Sequence, residues 1–574
     1  MVPYVNTMRT YQYPAVPVEH ELMDLSPLLS RLLLQRGILS QAEAEVFLAP
    51  DYLTGLHDPL LLHDMLLAVQ RIEDAMKQQE RIAIFSDYDC DGIPGAVIWH
   101  DFFTAVGYTN FTCYIPHRHF EGFGLSVSAV EKFQADNVQL IITVDCGTSD
   151  VEAVIASNEL GIDVIITDHH EPGETLPPAV AVVNPKLGTY PFSDLCGAAV
   201  VYKVVQVLMG RISHTLPVGY EKWWLDMVGI ATIADMVPLR GENRVLAHFG
   251  LKVLRKSRRP GLHHLLRVAK LKPQYLTEED IGFTIGPRIN AASRMDTPED
   301  AFHMLASSDV VTAGNHVAHL EKLNQERKTA VALMTKDVHQ RLKLLSEIPP
   351  VLVLGNPDWR PALVGLAANK LAEEHGRPVF LWGRDGNGVY KGSCRAGGAV
   401  SVVTLMHTVP DIFLEFGGHH ASGGFSVKDE AIFSLSAHLN TAYETLGEAA
   451  VIREAVPVDA TLTLDAVNES LMREINRLAP FGKGNPKPLF AFMGVVPMKV
   501  EQFGKGHEHL KVTFETARGT LEAIAFFATP DSFQFEPQVD QSMTLLAHVE
   551  QSFFMNRSQI RLRIVDVLAV TDLS

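Results

Sequence analysis

Three short apolar runs, each closing on acidic residues, dominate the hydrophobic pattern of the first half of the chain. Ile82-Ala83-Ile84-Phe85 leads into Asp87, Asp89 and Asp91. Leu140-Ile141-Ile142-Thr143-Val144 leads into Asp145, and Val164-Ile165-Ile166-Thr167 into Asp168-His169-His170. A continuous apolar run bounded by polar residues predicts a strand covered on both faces, as in a parallel sheet. Strand and helix signals alternate from Arg81 to about Leu239, which predicts a doubly wound α/β domain over 76–305. In open sheets of this kind ligands bind outside the carboxyl ends of the strands. Several carboxylates and two imidazoles are therefore expected on one rim.

Other periodicities divide the rest of the chain. Residues 1–75 read as helical, with Leu28, Leu29, Leu32, Leu33 and Leu34 spaced for a buried face. A long connecting helix is predicted within 306–348, where Val317, Leu320, Leu323, Ala330, Leu333 and Val338 recur at helical spacing. After Pro349-Pro350 the runs Val351-Leu352-Val353-Leu354 and Val379-Phe380-Leu381-Trp382 predict a second α/β domain over 349–448. Residues 455–574 read as a small β-barrel with one helix near Leu464 to Leu478. Its strands are expected at Leu510–Phe514, Leu521–Phe527 and Ile560–Val565.

Composition narrows the function class. A chain of 574 residues is too long for one core, and 47% hydrophobic with 20% charged residues is ordinary for a folded protein. No run approaches the ~18 apolar residues of a membrane span. The start of the chain lacks a charged segment followed by an apolar one, so no leader is expected. Cys90, Cys113, Cys146, Cys196 and Cys394 show no CxxC spacing, which predicts reduced thiols, a cytoplasmic setting and no thiolate-bound zinc. A net charge of −18 argues against a globally basic nucleic-acid binder. Locally, Lys252, Arg255, Lys256, Arg258, Arg259, Arg267, Lys270 and Lys272 follow one another without an acid. That run is expected to be either a solvated helical face or a phosphate-binding surface.

The acidic loop Asp87-Tyr88-Asp89-Cys90-Asp91-Gly92 begins like an EF-hand. An EF-hand needs a helix before the loop and a Glu six residues beyond the Gly; here a strand-like run precedes it and Ile98 occupies that position. A fourth acid, Asp235, follows the apolar stretch Met227–Ala234. Acids in apolar surroundings are costly unless paired or metal-bound. Oxygen-rich ligands with one or two histidines suit Mn2+ or Mg2+. Five clustered carboxylates call for two such ions ~3.5–4 Å apart, the arrangement used in phosphate-ester hydrolysis.

These motifs, in this order, resemble the DHH phosphoesterase superfamily, and the longer segments are similar to its single-strand-specific 5′-exonuclease branch. The segments are Leu56-His57-Asp58-Pro59, Phe85–Gly92, Glu121-Gly122-Phe123-Gly124-Leu125, Ala234–Leu239 and Gly286–Ala292. Gly417-Gly418-His419-His420 and Pro480-Phe481-Gly482-Lys483-Gly484-Asn485-Pro486 complete them. The resemblance implies one ion on Asp89 and bridging Asp145 with Asp87 beside them, and a second on Asp91, Asp145, His169 and Asp235. It implies His170 against the scissile phosphate and Asp168 orienting a histidine ring. It further implies a DHH-associated domain as the second α/β unit, an OB-fold at the C-terminus, and nucleic-acid contacts from Arg118, Arg288, Asn290, Ser393, Arg395, Gly418 and His419.

Phe503, Phe526, Phe527, Phe553 and Phe554 are the aromatics on which bases could stack, although most Phe in a small barrel belong to its core. Two positions depart from the family pattern: Pro94-Gly95 stands where a Thr-Ser pair is usual, and Ser293 where Gly is usual. The implied activity is 5′-to-3′ hydrolysis of single-stranded DNA to 5′-mononucleotides in repair and recombination. A single-strand-binding protein and a helicase are the implied companions. The alternatives are a DHH phosphodiesterase acting on short oligonucleotides or cyclic dinucleotides, and a non-catalytic nucleic-acid-binding replication factor. The first would lack the outer domains; the second would have lost metal ligands.

Overall fold

The computed structural model describes residues 10–13, 22, 24–386, 388–398, 400–446, 455–554 and 557–570, without the side chains of 553–558. The chain divides into two compact units. One comprises Pro50–Thr329 with Pro480–Pro486; the other comprises Met1–Ala49, Ala330–Ala479 and Lys487–Ser574.

The first unit is built on the predicted sheet. Strands β1 (Ile82–Ser86), β2 (Phe111–Tyr114), β3 (Leu140–Val144), β4 (Asp163–Thr167) and β5 (Ala181–Val183) are all parallel, in the order β2-β1-β3-β4-β5. The order reverses between β1 and β3, which makes their carboxyl ends the switch point where such sheets bind ligands. Register sharpens this. Ser86 pairs with Val144 and Val144 with Thr167, so Asp87, Asp145 and Asp168 begin at one level. The ladder continues through them: the N–H groups of Asp87, Asp145 and Asp168 donate to Val144, Thr167 and Val183 carbonyls at 3.0, 2.9 and 3.1 Å.

Helices cover the sheet. They include α1 (Gly92–Val106), α2 (Gly197–Arg211), α3 (Leu225–Ala234) and α4 (Gly241–Leu254). Helix α3 is the apolar stretch before Asp235; being buried all round, it has no polar face to show. One ionic group sits inside this packing. Lys203 of α2 and Glu242 of α4 are both fully buried side chains, and Lys203 Nζ lies 2.6 Å from Glu242 Oε1. The remaining polar capacity is filled: Lys203 donates to the His57 carbonyl at 2.9 Å, while Glu242 accepts from the His57 N–H at 2.7 Å and the Tyr190 hydroxyl at 2.6 Å. The Leu56-His57-Asp58-Pro59 segment thus contributes backbone to a buried ion pair that joins α2 to α4.

The run of basic residues does not form a single surface. Arg259 is buried, held by Asp226 at 2.9 Å and Asp101 at 2.7 Å, and Arg255 donates to the Leu276 carbonyl. Arg258 lies over the Trp223 ring at 4.0 Å and Lys252 over Phe249 at 4.8 Å. Much of that charge is spent on packing the unit. A count of cations along the sequence carries no information about where their partners lie.

Further helices follow: α5 (Gly286–Met295), the long connecting helix α6 (Val310–Leu342) and, in the second unit, α7 (Pro361–His375). The second unit contains the expected second α/β sheet. Its strands are β6 (Leu352–Gly355), β7 (Val379–Arg384), β8 (Tyr390–Arg395), β9 (Phe413–Gly418) and β10 (Ser422–Val427), in the order β9-β10-β8-β7-β6. Only β6 and β7 pair in parallel. A seven-stranded C-terminal sheet includes His509–Thr516, Gly519–Phe526 and Arg557–Leu568, where the strands are expected, with a helix at Glu469–Arg477. The N-terminal helices are Pro27–Leu34 and Gln41–Leu48, and Tyr11–Gln12 adds a short parallel pairing with Val456–Pro457 that the helical reading of 1–75 does not include.

A double-mutant cycle on the buried pair tests its role. Lys203→Met alone should cost roughly 3–5 kcal/mol, because it strands the Glu242 carboxylate in the interior. Lys203→Met with Glu242→Leu should cost less than the sum of the two single changes by at least ~1 kcal/mol in denaturant melts. Simple additivity would refute the pairing.

Candidate metal centre

The acidic loop after β1 is folded by its own carboxylate. Asp89 Oδ1 accepts from the N–H groups of Asp91 at 2.7 Å and Gly92 at 3.2 Å, turning the chain into α1. Asp91 reaches away from that helix to the start of α2, where Gly197 and Ala198 N–H groups donate to it at 2.6 and 2.8 Å. A helix N-terminus offers unpaired donors and a positive dipole end, so it holds a carboxylate in its ionised form. Glycine makes the approach sterically feasible. A Cβ on Gly197 would lie 2.6 Å from Asp145 Cβ, and one on Gly92 would lie 2.4 Å from the Asp87 carbonyl oxygen. Asp145 itself adopts φ +60°, a left-handed conformation costly for most residues and least so for Asn, Asp and Gly.

These turns bring the acids into two overlapping groups. Asp87, Asp89 and Asp145 each present an oxygen within 4.8 Å of the others, and so do the ligand atoms of Asp91, His169 and Asp235. Asp145 joins the groups, with its Oδ1 3.1 Å from His169 Nε2; the same nitrogen is 3.7 Å from both Asp91 Oδ2 and Asp235 Oδ2. Asp145, His169 and His170 form a third such triad.

Electrostatics shows what the cluster lacks. Burial, then repulsion from neighbouring acids, pushes Asp145 and Asp87 well above the usual carboxylate range. Asp91 is raised by burial despite His169 and the helix amides. Asp235 is pushed up to about 8 by burial and by Asp91 and Asp89. It also closes the C-terminal end of α3, where the helix dipole disfavours a negative charge. Asp87 Oδ1 and Asp145 Oδ1 are buried with no aligned hydrogen-bond donor. Oxygen ligands in this state, with one imidazole nitrogen, fit hard divalent cations, whose charge would let every acid ionise.

Asp168 is bonded differently. Its Oδ1 accepts from the N–H groups of His169 at 2.7 Å and His170 at 3.1 Å, and it lies 2.8 Å from His170 Nδ1. Its Oδ2 accepts from the Thr148 N–H at 3.0 Å. Burial would raise Asp168, but His170 and Thr148 outweigh it and hold the carboxyl well below its usual range. Burial likewise opposes the His170 cation, yet Asp168 raises that ring to about 9. Asn184, which no reading of the motifs singled out, donates to Thr148 Oγ1 at 3.1 Å and to the His170 carbonyl at 2.9 Å. It follows β5 as Asp168 follows β4, so the strand-end rule that located the acids also covers it. Phe123 meets the His170 ring edge-on at 5.4 Å.

The segment Pro480–Pro486, which carries part of the resemblance but has no role implied by it, belongs to this unit although it lies far along the chain. The Leu239 N–H donates to the Lys483 carbonyl at 2.7 Å and Arg240 Nε to the Gly484 carbonyl at 2.7 Å. A Cβ on Gly482 would come within 2.8 Å of Leu239 Cδ1, and Gly484 adopts φ +76° with a Cβ there 3.1 Å from Pro238 Cβ. Lys483 lowers the pKa of Asp235.

The expected nucleic-acid contacts fall into separate groups. Arg118 lies over the Tyr88 ring at 4.8 Å, beside the metal loop, and lowers Asp87. Arg288 of α5 is buried and engages Glu321 at 2.7 and 3.3 Å and the Thr284 carbonyl at 2.9 Å, a structural ion pair. Asn290 Oδ1 is buried and unpaired. In the second unit, Ser393 and Arg395 occupy alternate positions of β8, close to Gly365 of α7. Gly418 (φ +139°) and His419 shape the β9–β10 hairpin, with the His419 N–H donating to Ser422 O at 2.7 Å. Of the barrel aromatics, Phe527 is exposed and Phe526 lies beneath the Arg563 guanidinium at 4.3 Å; the side chains of Phe553 and Phe554 lie outside the described residues.

The two departures are accommodated. Gly95 lets α1 lie against β3, since a Cβ there would come within 2.6 Å of Val144 Cγ1. Ser293 is buried in α5 and displaces no ligand.

Comparison with known proteins places this geometry in a family. The family model for the DHH family, N-terminal domain, matches residues 81–232, the DHHA1 domain 349–445 and the RecJ OB domain 458–566. The single-stranded-DNA-specific exonuclease RecJ of Bacillus subtilis is 34% identical over 88% of this chain, which spans 64% of that relative. The protein of that name from Haemophilus influenzae is 30% identical over 87% of this chain and 89% of its own length. Among solved structures, Thermus thermophilus RecJ in complex with Mn2+ superposes with a TM-score of 0.80 at 25% identity, covering 97% of this chain and 79% of that one. A manganese-bound exonuclease RecJ gives 0.59 at 30% identity over 69% of this chain and all of its own. With its metal-ligand set, DHHA1 sheet and C-terminal OB domain together in one chain, this protein belongs to the RecJ family of DHH phosphoesterases.

Proposed function

We propose that the chain is a metal-dependent exonuclease that degrades single-stranded DNA from the 5′ end to 5′-mononucleotides. The observation that carries this reading is the closeness of two ligand groups, Asp87–Asp89–Asp145 and Asp91–His169–Asp235, joined where Asp145 Oδ1 lies 3.1 Å from His169 Nε2. Asp87, Asp89 and Asp145 would hold one Mn2+ or Mg2+ ion; Asp91, Asp145, His169 and Asp235 would hold the other. Such a pair supplies charge neutralisation on the phosphodiester and activation of a water for in-line attack.

The chain's own residues prepare the rest. The α2 amides fix Asp91 in place and oppose part of the burial that raises it. Asp168 holds His170 as a cation with its Nε2 free, suited to neutralise charge developing on the phosphate. Ser393, Arg395, Gly418 and His419 are assigned to phosphates of the bound strand, Arg118 to the strand near the metal loop, and Asn290 to the same path. Arg288 acts there through its position in α5, because its guanidinium is engaged by Glu321.

The domain limits 76–305, 349–448 and 455–574 are part of the same proposal, supported by the three family spans. So are roles in repair and recombination, and a single-strand-binding protein and a helicase as partners, by family resemblance. No helix among the described residues is long and apolar enough to cross a membrane, and the five cysteines are free. A cytoplasmic setting agrees with both. A phosphodiesterase of short or cyclic nucleotides is the weaker reading, because an extended N-terminal part and a match to the RecJ OB domain accompany the DHH unit here.

A long single strand labelled at one end separates these readings. With Mn2+ or Mg2+, label should leave the 5′ end as mononucleotide; cleavage of dinucleotides alone would overturn the proposal. Asp145→Ala should abolish cleavage while strand binding persists. Retention of more than about a tenth of the wild-type rate, a barrier rise under ~1.4 kcal/mol, would refute the shared-ligand assignment. Asp168→Asn, which weakens the hold on His170, should lower the rate by roughly 10–100-fold; an unchanged rate would remove the positioning role of Asp168.

A further inference from the structure

A second group of metal-ligating side chains lies in the other unit and takes no part in the chemistry above. His339 comes from the last turns of α6, and Glu374 and His375 are the last two residues of α7. Their ligand atoms all lie within 4.8 Å of one another. His339 Nε2 is 2.8 Å from Glu374 Oε1, and the His339 and His375 rings are 6.0 Å apart at 62°. We propose that His339, Glu374 and His375 form a separate binding site for a borderline transition-metal ion of the Zn2+ class.

Several observations support a cation there. His375 Nε2 is buried and makes no aligned hydrogen bond, and His339 Nε2, also buried, meets only the Glu374 carboxylate. Buried polar atoms of this kind call for an explanation, and a bound ion is one. Glu374 keeps only 15% of its side-chain surface, and its carboxylate supplies the negative charge. Arg377, the nearest cation in sequence on the C-terminal side, donates to the Ile348 and Pro349 carbonyls at 2.5 and 2.8 Å.

Ligand chemistry then selects the ion. Two imidazoles and one carboxylate match the three-ligand sets that hold Zn2+ at 2.0–2.2 Å, roughly, with a fourth position left for water. The nitrogen-poor carboxylate centre favours Mn2+ or Mg2+ instead. The three ligand atoms already lie within 4.8 Å of one another, a spread that a shared ion would draw together. The ion would latch the end of α6 to the end of α7, two helices that no covalent link shorter than the intervening chain connects.

The test uses the full chain dialysed against Zn2+ in a large excess of Mg2+, which occupies the carboxylate centre. Wild type should retain one more zinc per chain than either His375→Ala or Glu374→Gln, and zinc should raise the thermal midpoint of wild type but of neither variant. Mg2+-dependent nuclease activity, measured without zinc, should be the same in all three. Equal zinc content and equal midpoint shifts would overturn the proposal. Should either variant prove unfolded, Co2+ bound to wild type under the same Mg2+ excess decides. Intense visible absorption of a four-coordinate ion supports the site, and only the weak spectrum of six oxygen ligands overturns it.

Discussion

Mutual repulsion among buried carboxylates is the constraint around which the first unit is organised. Asp87, Asp91 and Asp145 are almost fully buried, and each is pushed toward its neutral form by burial and by the others. A fold could relieve this by moving the acids apart or by pairing them with basic side chains. This one keeps the acids together and offsets them only in part with basic side chains, His169 beside Asp145 and the charges of Arg118 and Lys483. It offsets part of the charge with backbone, through the α2 amides on Asp91, and leaves the rest for cations. The left-handed turn at Asp145 and the glycines that admit α1 and α2 so closely are the local cost of keeping the acids together.

A rigid frame is needed to sustain that arrangement. Continuous parallel register carries Asp87, Asp145 and Asp168 to one rim. The Lys203–Glu242 pair fixes α2, which caps Asp91, against α4, which begins six residues after Asp235. Oxygens and nitrogens of the catalytic group are thereby referred to one core. His170 is held in a similar way, through the buried Asp168, Thr148 and Asn184, with Phe123 against the edge of its exposed ring.

Much of this was legible in the sequence, for a physical reason. Strands covered on both faces must be apolar throughout, so their ends are marked by the first polar residue, and the acids stand there. Asp168-His169-His170 and the Asp87 loop were readable in this way, and Asp235 because it follows a helix without a polar face. Residues whose contribution depends on tertiary approach were not readable. Lys483 acts on Asp235 from about 250 positions away, and Thr148 acts on Asp168 through its N–H and its hydroxyl from a position that no strand end marks. The basic run illustrates the converse: Arg259 looks like part of a surface until Asp226 and Asp101 are found beside it.

The strap at Pro480–Pro486 means that modules of the sequence and modules of the fold are different partitions of this molecule. The C-terminal family segment begins at 458, yet seven residues within it belong to the catalytic unit. Were the C-terminal module exchanged for that of a relative at the family boundary, the incoming chain would have to reproduce the glycines at Gly482 and Gly484 and the carbonyl of Lys483. Otherwise the recipient would keep every metal ligand and still lose the neighbour that moderates Asp235. The surroundings of the acidic cluster are therefore drawn from two separate stretches of the sequence, one of them far from the candidate ligands.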